Sequence, residues 1–115
     1  ENGKAFGKYT IPFDASIKYE FTLRSPMRHV PSIRRPTFYF EGTSSTTYVA
    51  QAARMHDFAE SRGIPFQAFP VRRADHFNIL DPLTKLIAKK ILADVEPDCN
   101  ISFTNNEVQQ AFRNR

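Results

Sequence analysis

The sequence has a single cysteine, Cys99, and no tryptophan. One cysteine excludes an internal disulfide, and neither CxxC nor HxxxH spacing occurs, so no zinc site is expected. Such cysteine usage suits a reducing compartment, and a cytoplasmic location is the expectation. No stretch approaches the roughly 20 apolar residues that a membrane-spanning helix needs, and no membrane partner is expected. The first ten residues, ENGKAFGKYT, contain neither an initiator methionine nor an apolar signal core, so they read as the middle of a longer protein. Basic runs are also lacking. The net charge is +4, but the doublets Arg34–Arg35 and Arg72–Arg73 lie far apart, with no aromatic-interleaved basic platform. A nucleic-acid partner is therefore not expected. There is no internal repeat and no low-complexity segment.

What remains is an ordinary globular composition: 115 residues, 41% hydrophobic and 24% charged. That length makes one small domain with a single core and little stability to spare. Eleven phenylalanines supply much apolar surface that needs a partner, within the chain or beyond it.

Residues 1–33 read as an irregular lead-in. Gly7, Pro12 and Asp14 are loop signals, and Pro26 and Pro31 permit only a short turn over 26–30, with Ser25 as cap. From Thr37 the pattern sharpens. TFYFEG, bounded by Pro36 and Gly42, lacks polar alternation and suits a strand buried on both faces. The next segment carries Tyr48, Ala52, Met55 and Ala59 on one helical stripe, widened by Val49 and Ala53. Ser44 or Ser45 is its cap and Gly63 its stop. IPFQAFPV is a second strand, with Pro70 marking an edge or a terminus. A second long helix is expected after it, capped by Asp81 with Pro82 at its first position and Leu83, Leu86, Ile87 and Ile91 as its stripe. A short third helix is signalled by a capping box at Thr104 and Glu107, followed by Val108, Ala111 and Phe112. Strand, helix, strand implies a parallel pair with a right-handed crossover. Two parallel strands alone bury too little to stand as a sheet. The expected organisation is thus a lead-in at 1–33, a strand–helix–strand–helix unit at 34–95 and a tail with a short helix at 96–115, together one part of a larger α/β sheet.

One histidine stands out. His76 follows the second strand, in FPVRRADHFNIL, at the carboxyl end where open α/β sheets place function. Imidazole is suited to proton transfer because its pKa lies near neutrality. His56 reads as surface or half-buried and His29 as an exposed loop residue. Cys99 has no adjacent base, so a catalytic thiol is not expected.

RSPMRHVPSIRRPTFYFEG, then a helix, then GIPFQAFPVRRADHF, resembles the C-terminal part of the α/β-hydrolases, and within them the branch of prolyl oligopeptidase and dienelactone hydrolase. Ile33-Arg34-Arg35-Pro36 matches a lead-in to the penultimate strand, Glu41-Gly42 its end, and Gly63-Ile64-Pro65 the lead-in to the last strand. His76 falls at the catalytic histidine. The likeness runs from about Arg24 to Asp94. It implies an α/β three-layer sheet, incomplete in this chain alone, and a serine peptidase or esterase in which His76 is the general base. It implies no cofactor and a peptide or small-molecule substrate. Two positions depart from the pattern. None of the seven serines lies in G-x-S-x-G, the turn that exposes the nucleophile. The nucleophile is therefore expected outside this chain, on the remainder of the hydrolase domain, and the chain alone is expected to be inactive. The position that holds the acid in the family is Ser45 here. Three accounts stay open: an acid from another strand, Glu41 as the acid, or a non-catalytic hydrolase-like scaffold in which the arginine doublets contribute a binding surface. Asp75 is the weakest candidate, since neighbours on a turn rarely align for the hydrogen bond required.

Overall fold

The computed structural model describes residues 12–115; part of the lead-in, residues 1–11, lies outside them. The elements run α1 (Lys18–Arg24), α2 (Pro26–His29), a 3-10 turn (Val30–Ser32), β1 (Thr37–Gly42), α3 (Thr46–Ser61), β2 (Phe66–Val71), α4 (Leu80–Ala93) and α5 (Asn105–Arg113). The protein is therefore mixed α/β, with β1 and β2 forming a parallel two-stranded sheet in the register Thr37↔Phe66 through Gly42↔Val71. No helix among the described residues is long and apolar enough to cross a membrane.

Period-2 alternation of β2 distributes its side chains between two small cores. Phe69 and Val71 pack with Ala74, Ile79, Leu83, Phe103, Val108 and Phe112 on the side of α4 and α5, and Phe38 and Phe40 of β1 join them. Phe66 and Ala68 face α3 and pack with Val30, Met55, Phe58 and Ala59. Helices thus flank both faces of β2, but β1 is not buried on both faces as expected: Thr37, Phe38 and Phe40 are only partly buried and Tyr39 is exposed, because no β1 residue joins the cluster on the α3 side. The first core is built from aromatic rings: Phe103 meets Phe38 and Phe40 edge-on at 5.0 Å each, and Phe40 stacks on Phe69 at 5.3 Å. Much of the phenylalanine content is satisfied here.

Four other local differences from the sequence expectations have physical causes. Part of the lead-in expected to be irregular is helical: α1 has no buried residue, hence no apolar stripe to read, and is braced by the Glu20–Arg24 pair at 2.9 Å and by Arg24 over the Phe13 ring. Asp81 does not cap α4. The helix begins at Leu80, and Asp81 sits in its first turn paired with Lys85 at 2.8 Å. The stripe of α4 fades toward its end, with Ile91 57% exposed. The segment 96–115, expected as a tail, contributes Phe103, Val108 and Phe112 to the main core, about 1.5–3 kcal/mol for each such side chain buried.

The capping box of α5 forms as expected. Glu107 N–H donates to Thr104 Oγ1, and Thr104 N–H donates to Glu107 Oε2. The other oxygen of Glu107 meets Lys90 Nζ of α4 at 2.6 Å. The Lys90 hydrogen bond, followed by the bond from the Thr104 backbone, holds the Glu107 carboxyl below the usual glutamate range against the cost of burial. A carboxyl depressed on folding stabilises above its unfolded pKa, and that stability is lost as pH falls through the folded value. Glu107→Gln is therefore expected to cost about 0.5–1 kcal/mol at pH 7, a discount for partial exposure included. The gap to wild type should close as pH falls below the ordinary glutamate value of about 4.3, which thermal melts of both proteins across pH will check.

The backbone at the two sheet edges is treated differently. Along the outer edge of β2, Phe66 N–H donates to Ile64 O, Ala68 N–H to His56 Nδ1 at 3.0 Å, and Arg72 N–H to Gln109 Oε1 at 2.9 Å. Pro70 has no N–H to offer. In β1, Thr37 and Thr43 donate toward β2, to Pro65 O and Val71 O. By alternation, Phe38 and Phe40 turn their amides to the far edge, where no strand lies among the described residues.

Candidate functional site

The parallel strands end side by side at Glu41-Gly42 and Pro70-Val71, and the chain leaving β2 folds back over the end of β1. Each peptide unit of this return is tied down. Arg72 is held by Gln109, Arg73 N–H donates to Thr43 Oγ1 at 3.3 Å, and Ala74 O accepts from Ser44 N–H at 3.0 Å. Asp75 N–H donates to Asn78 Oδ1. Arg73 sits at φ 67, a left-handed conformation costing a non-glycine residue roughly 1–2 kcal/mol. Such strain persists only where the surroundings over-determine it.

Gly42 permits the close approach. A Cβ at this position would overlap the Ala74 carbonyl and come within 2.8 Å of Asp75 N. With hydrogen there, the loop crosses directly above the strand end and brings His76 to Glu41.

His76 Nδ1 lies 3.3 Å from both Oε1 and Oε2 of Glu41, just beyond the usual hydrogen-bond range of about 2.7–3.2 Å. Catalytic hydrogen bonds are often this loose before substrate binds. Glu41 is the only buried charged or polar residue among those described, at 3% exposure. Its carboxyl oxygens also accept from Tyr39 OH and from Gly42 N–H, at 3.1 Å each. Burial, and then the bond to Glu41, raise the Tyr39 phenol above its ordinary value, which keeps it a donor. An acceptor facing Nδ1 favours the neutral tautomer with its proton on that nitrogen, the form in which the Nε2 lone pair points outward. No hydrogen bond to Nε2 occurs among the described residues. The His76 side chain is 58% exposed, flanked by Tyr48 at 5.8 Å and Phe77 at 5.4 Å between ring centroids. Tyr48, Phe77 and Leu80 are themselves exposed, so the pair sits on an uncovered apolar rim.

The other sequence candidates fall elsewhere. Ser45 occupies the N-cap position of α3 without a side-chain cap bond, and no hydrogen bond joins it to His76. Asp75 is committed to its own turn: its Oδ1 accepts from Asn78 and Phe77 N–H at 2.8 Å each, and these bonds hold its carboxyl below the usual aspartate range. His56 is half-buried and caps the sheet edge through Ala68, while His29 is exposed, with Nε2 2.8 Å from Leu23 O. Cys99 is exposed. Among the described residues no three of His, Cys, Asp and Glu gather as a metal site. The arginine doublets are not brought together: Arg34–Arg35 precede the start of β1 and Arg72–Arg73 follow the end of β2. In a parallel pair those are opposite ends of six-residue strands, separated by about 20 Å. Tyr39 and Gln109 were not legible as contributors. The signal of Gln109 is spatial only, since it is 37 positions from its partner, whereas Tyr39 lies two residues from Glu41 on the same strand, a spacing that puts both on one face.

Fold and site together define a class, an α/β protein with a histidine–carboxylate pair at the carboxyl ends of parallel strands. No family profile, curated protein or solved structure matches the chain.

Proposed function

We propose that this chain is the C-terminal region of a serine hydrolase, a peptidase or esterase of the prolyl oligopeptidase type. In this reading it supplies His76 as general base and Glu41 as the acid that fixes its tautomer. The observation that carries the reading is the contact of Nδ1 with a buried, thrice-bonded carboxylate while Nε2 remains outward. That is the arrangement a serine-activating imidazole needs. The nucleophile comes from outside the chain, on the remainder of the hydrolase domain. The amides of Phe38 and Phe40, which meet no strand among the described residues, support this, because β1 offers an edge that can accept another parallel strand while the outward amides of β2 are taken or, at Pro70, absent. A strand added there would end beside Glu41, and its loop would meet the rim of Tyr48, Phe77 and Leu80. The substrate is a peptide or small ester.

The second reading is a non-catalytic hydrolase-like scaffold, favoured by the absence of G-x-S-x-G and by Ser45 at the family's acid position. Hydrolysis of a chromogenic ester separates the two. The 115-residue chain alone is expected to show none, and the intact hydrolase to show turnover that His76→Ala removes. Turnover unchanged by His76→Ala in the intact protein contradicts the catalytic reading.

A further inference from the structure

We infer that Gln109 of α5 is a positioning residue for His76, acting through the loop that carries it. Its amide holds both backbone groups of Arg72: Oε1 accepts from the N–H at 2.9 Å, and Nε2 donates to the C=O at 3.1 Å. A side chain thereby continues the hydrogen bonding of β2 one residue past its pairing with β1. The next residue is Arg73, the one non-glycine residue with positive φ among those described. Gln109 grips the peptide groups before it, and Thr43 Oγ1 accepts from its own N–H. Freed from Gln109, the Arg72 peptide units can rotate and Arg73 can relax to negative φ. That relaxation redirects the chain three residues before His76.

The His76 ring is sensitive to such a change because little fixes the ring itself, although Thr43, Ser44 and Asn78 also hold the backbone between Arg73 and His76. Its ring is more than half exposed, and its hydrogen bond to Glu41 is already long. The clamp itself comes from a firm support. Val108 and Phe112, on either side of Gln109 in α5, are buried in the main core, and the capping box secures the start of the helix. The Gln109 bonds are exposed, so their effect falls on the loop's direction more than on the stability of the fold. The functional meaning of the clamp rests on His76 acting as a base, but its structural effect does not, and it can be read without turnover.

The tautomer of His76 reports the effect. The protein is labelled with 15N-histidine, which gives three rings to assign, and studied at about pH 8.5, two units above an unperturbed imidazole. In wild type, His76 is expected to be mainly the Nδ1–H form that faces Glu41. His56, whose Nδ1 accepts from Ala68 N–H, is mainly the Nε2–H form and serves as internal control. Gln109→Ala should turn His76 from majority Nδ1–H to majority Nε2–H, the form a free neutral imidazole favours, and leave His56 unchanged. Adding Arg73→Gly, which accepts positive φ without strain, should restore the Nδ1–H majority. If Gln109→Ala fails to fold, Gln109→Glu keeps the acceptor for Arg72 N–H, loses the donor, and should give an intermediate mixture. A variant that melts earlier while His76 keeps its wild-type tautomer overturns the inference and leaves Gln109 a purely structural contact. A wild-type His76 without the Nδ1–H majority overturns the inference as well, and in that case the Glu41–His76 pairing fails first.

Discussion

In the proposed role, replacing Glu41 by glutamine is expected to lower turnover of the intact protein by about 10⁴-fold, the scale seen when a triad carboxylate becomes an amide with its geometry kept. The size follows from the tautomer. A carboxylate offers His76 only acceptors, whereas a glutamine at this site must also place an NH₂ group. Gly42 N–H can only donate, and Tyr39 OH, which donates to the carboxyl, would have to turn to accept from the amide nitrogen. If the amide turns its nitrogen to His76, the imidazole accepts at Nδ1 and carries its proton on Nε2. An imidazole in that state cannot take a proton from serine. Far-UV circular dichroism of the variant should stay close to wild type, since volume and shape are conserved. Ser45→Ala is the matching control. No bond joins Ser45 to the histidine, so turnover should remain within about 2-fold, well under 1 kcal/mol of barrier. A large loss in Ser45→Ala together with a small one in Glu41→Gln would return the acid role to the family's usual position.

Gly42→Ala should be among the most damaging single-methyl additions in the chain. The added Cβ meets backbone, the Ala74 carbonyl and Asp75 N, so no side-chain rotation relieves the overlap. Either β1 shifts against β2 or the loop lifts from the strand end. Overpacking against main chain costs about 3 kcal/mol or more, a large share of the 5–15 kcal/mol typical of a whole domain. The urea midpoint should fall by roughly 1–3 M. Lifting the loop also separates His76 from Glu41, so the proposed activity should disappear in any fraction that still folds. Gly63→Ala is the contrast. Gly63 has φ 64 and open space around its Cβ position, so alanine there meets conformational strain alone, about 1 kcal/mol, with His76 undisturbed.

The parts of the fold that were legible share one property: their signals are local. Pro36 and Gly42 bound β1, Gly63 ends α3, and Thr104 and Glu107 start α5, each through bonds or steric limits within a few residues. Helix α1 was missed because it buries nothing, so it carries no apolar period. The start of α4 was misread because Asp81 pairs forward with Lys85, while the chain enters the helix from the turn that Asp75 organises. The role of Phe103 was hidden because a single aromatic in a loop shows no period, although it anchors the stack against Phe38, Phe40 and Phe69. In the site, His76 stood out by its place after a strand. Glu41 was one of several acids the residues allowed. Its proximity to His76 depends on the parallel register, on the return of the loop over Gly42 and on the clamps at Arg72 and Arg73, all of which are non-local.

The central claim is that His76, oriented by Glu41, activates a serine that this chain does not contain. The most direct measurement treats the intact protein and its His76→Ala variant with a fluorophosphonate and locates the phosphonylated residue by mass spectrometry. The expected result is one modified serine outside Glu1–Arg115, with labelling abolished by His76→Ala. Modification of a serine within these 115 residues, no labelling of the intact protein, or labelling that survives the loss of His76 would contradict it.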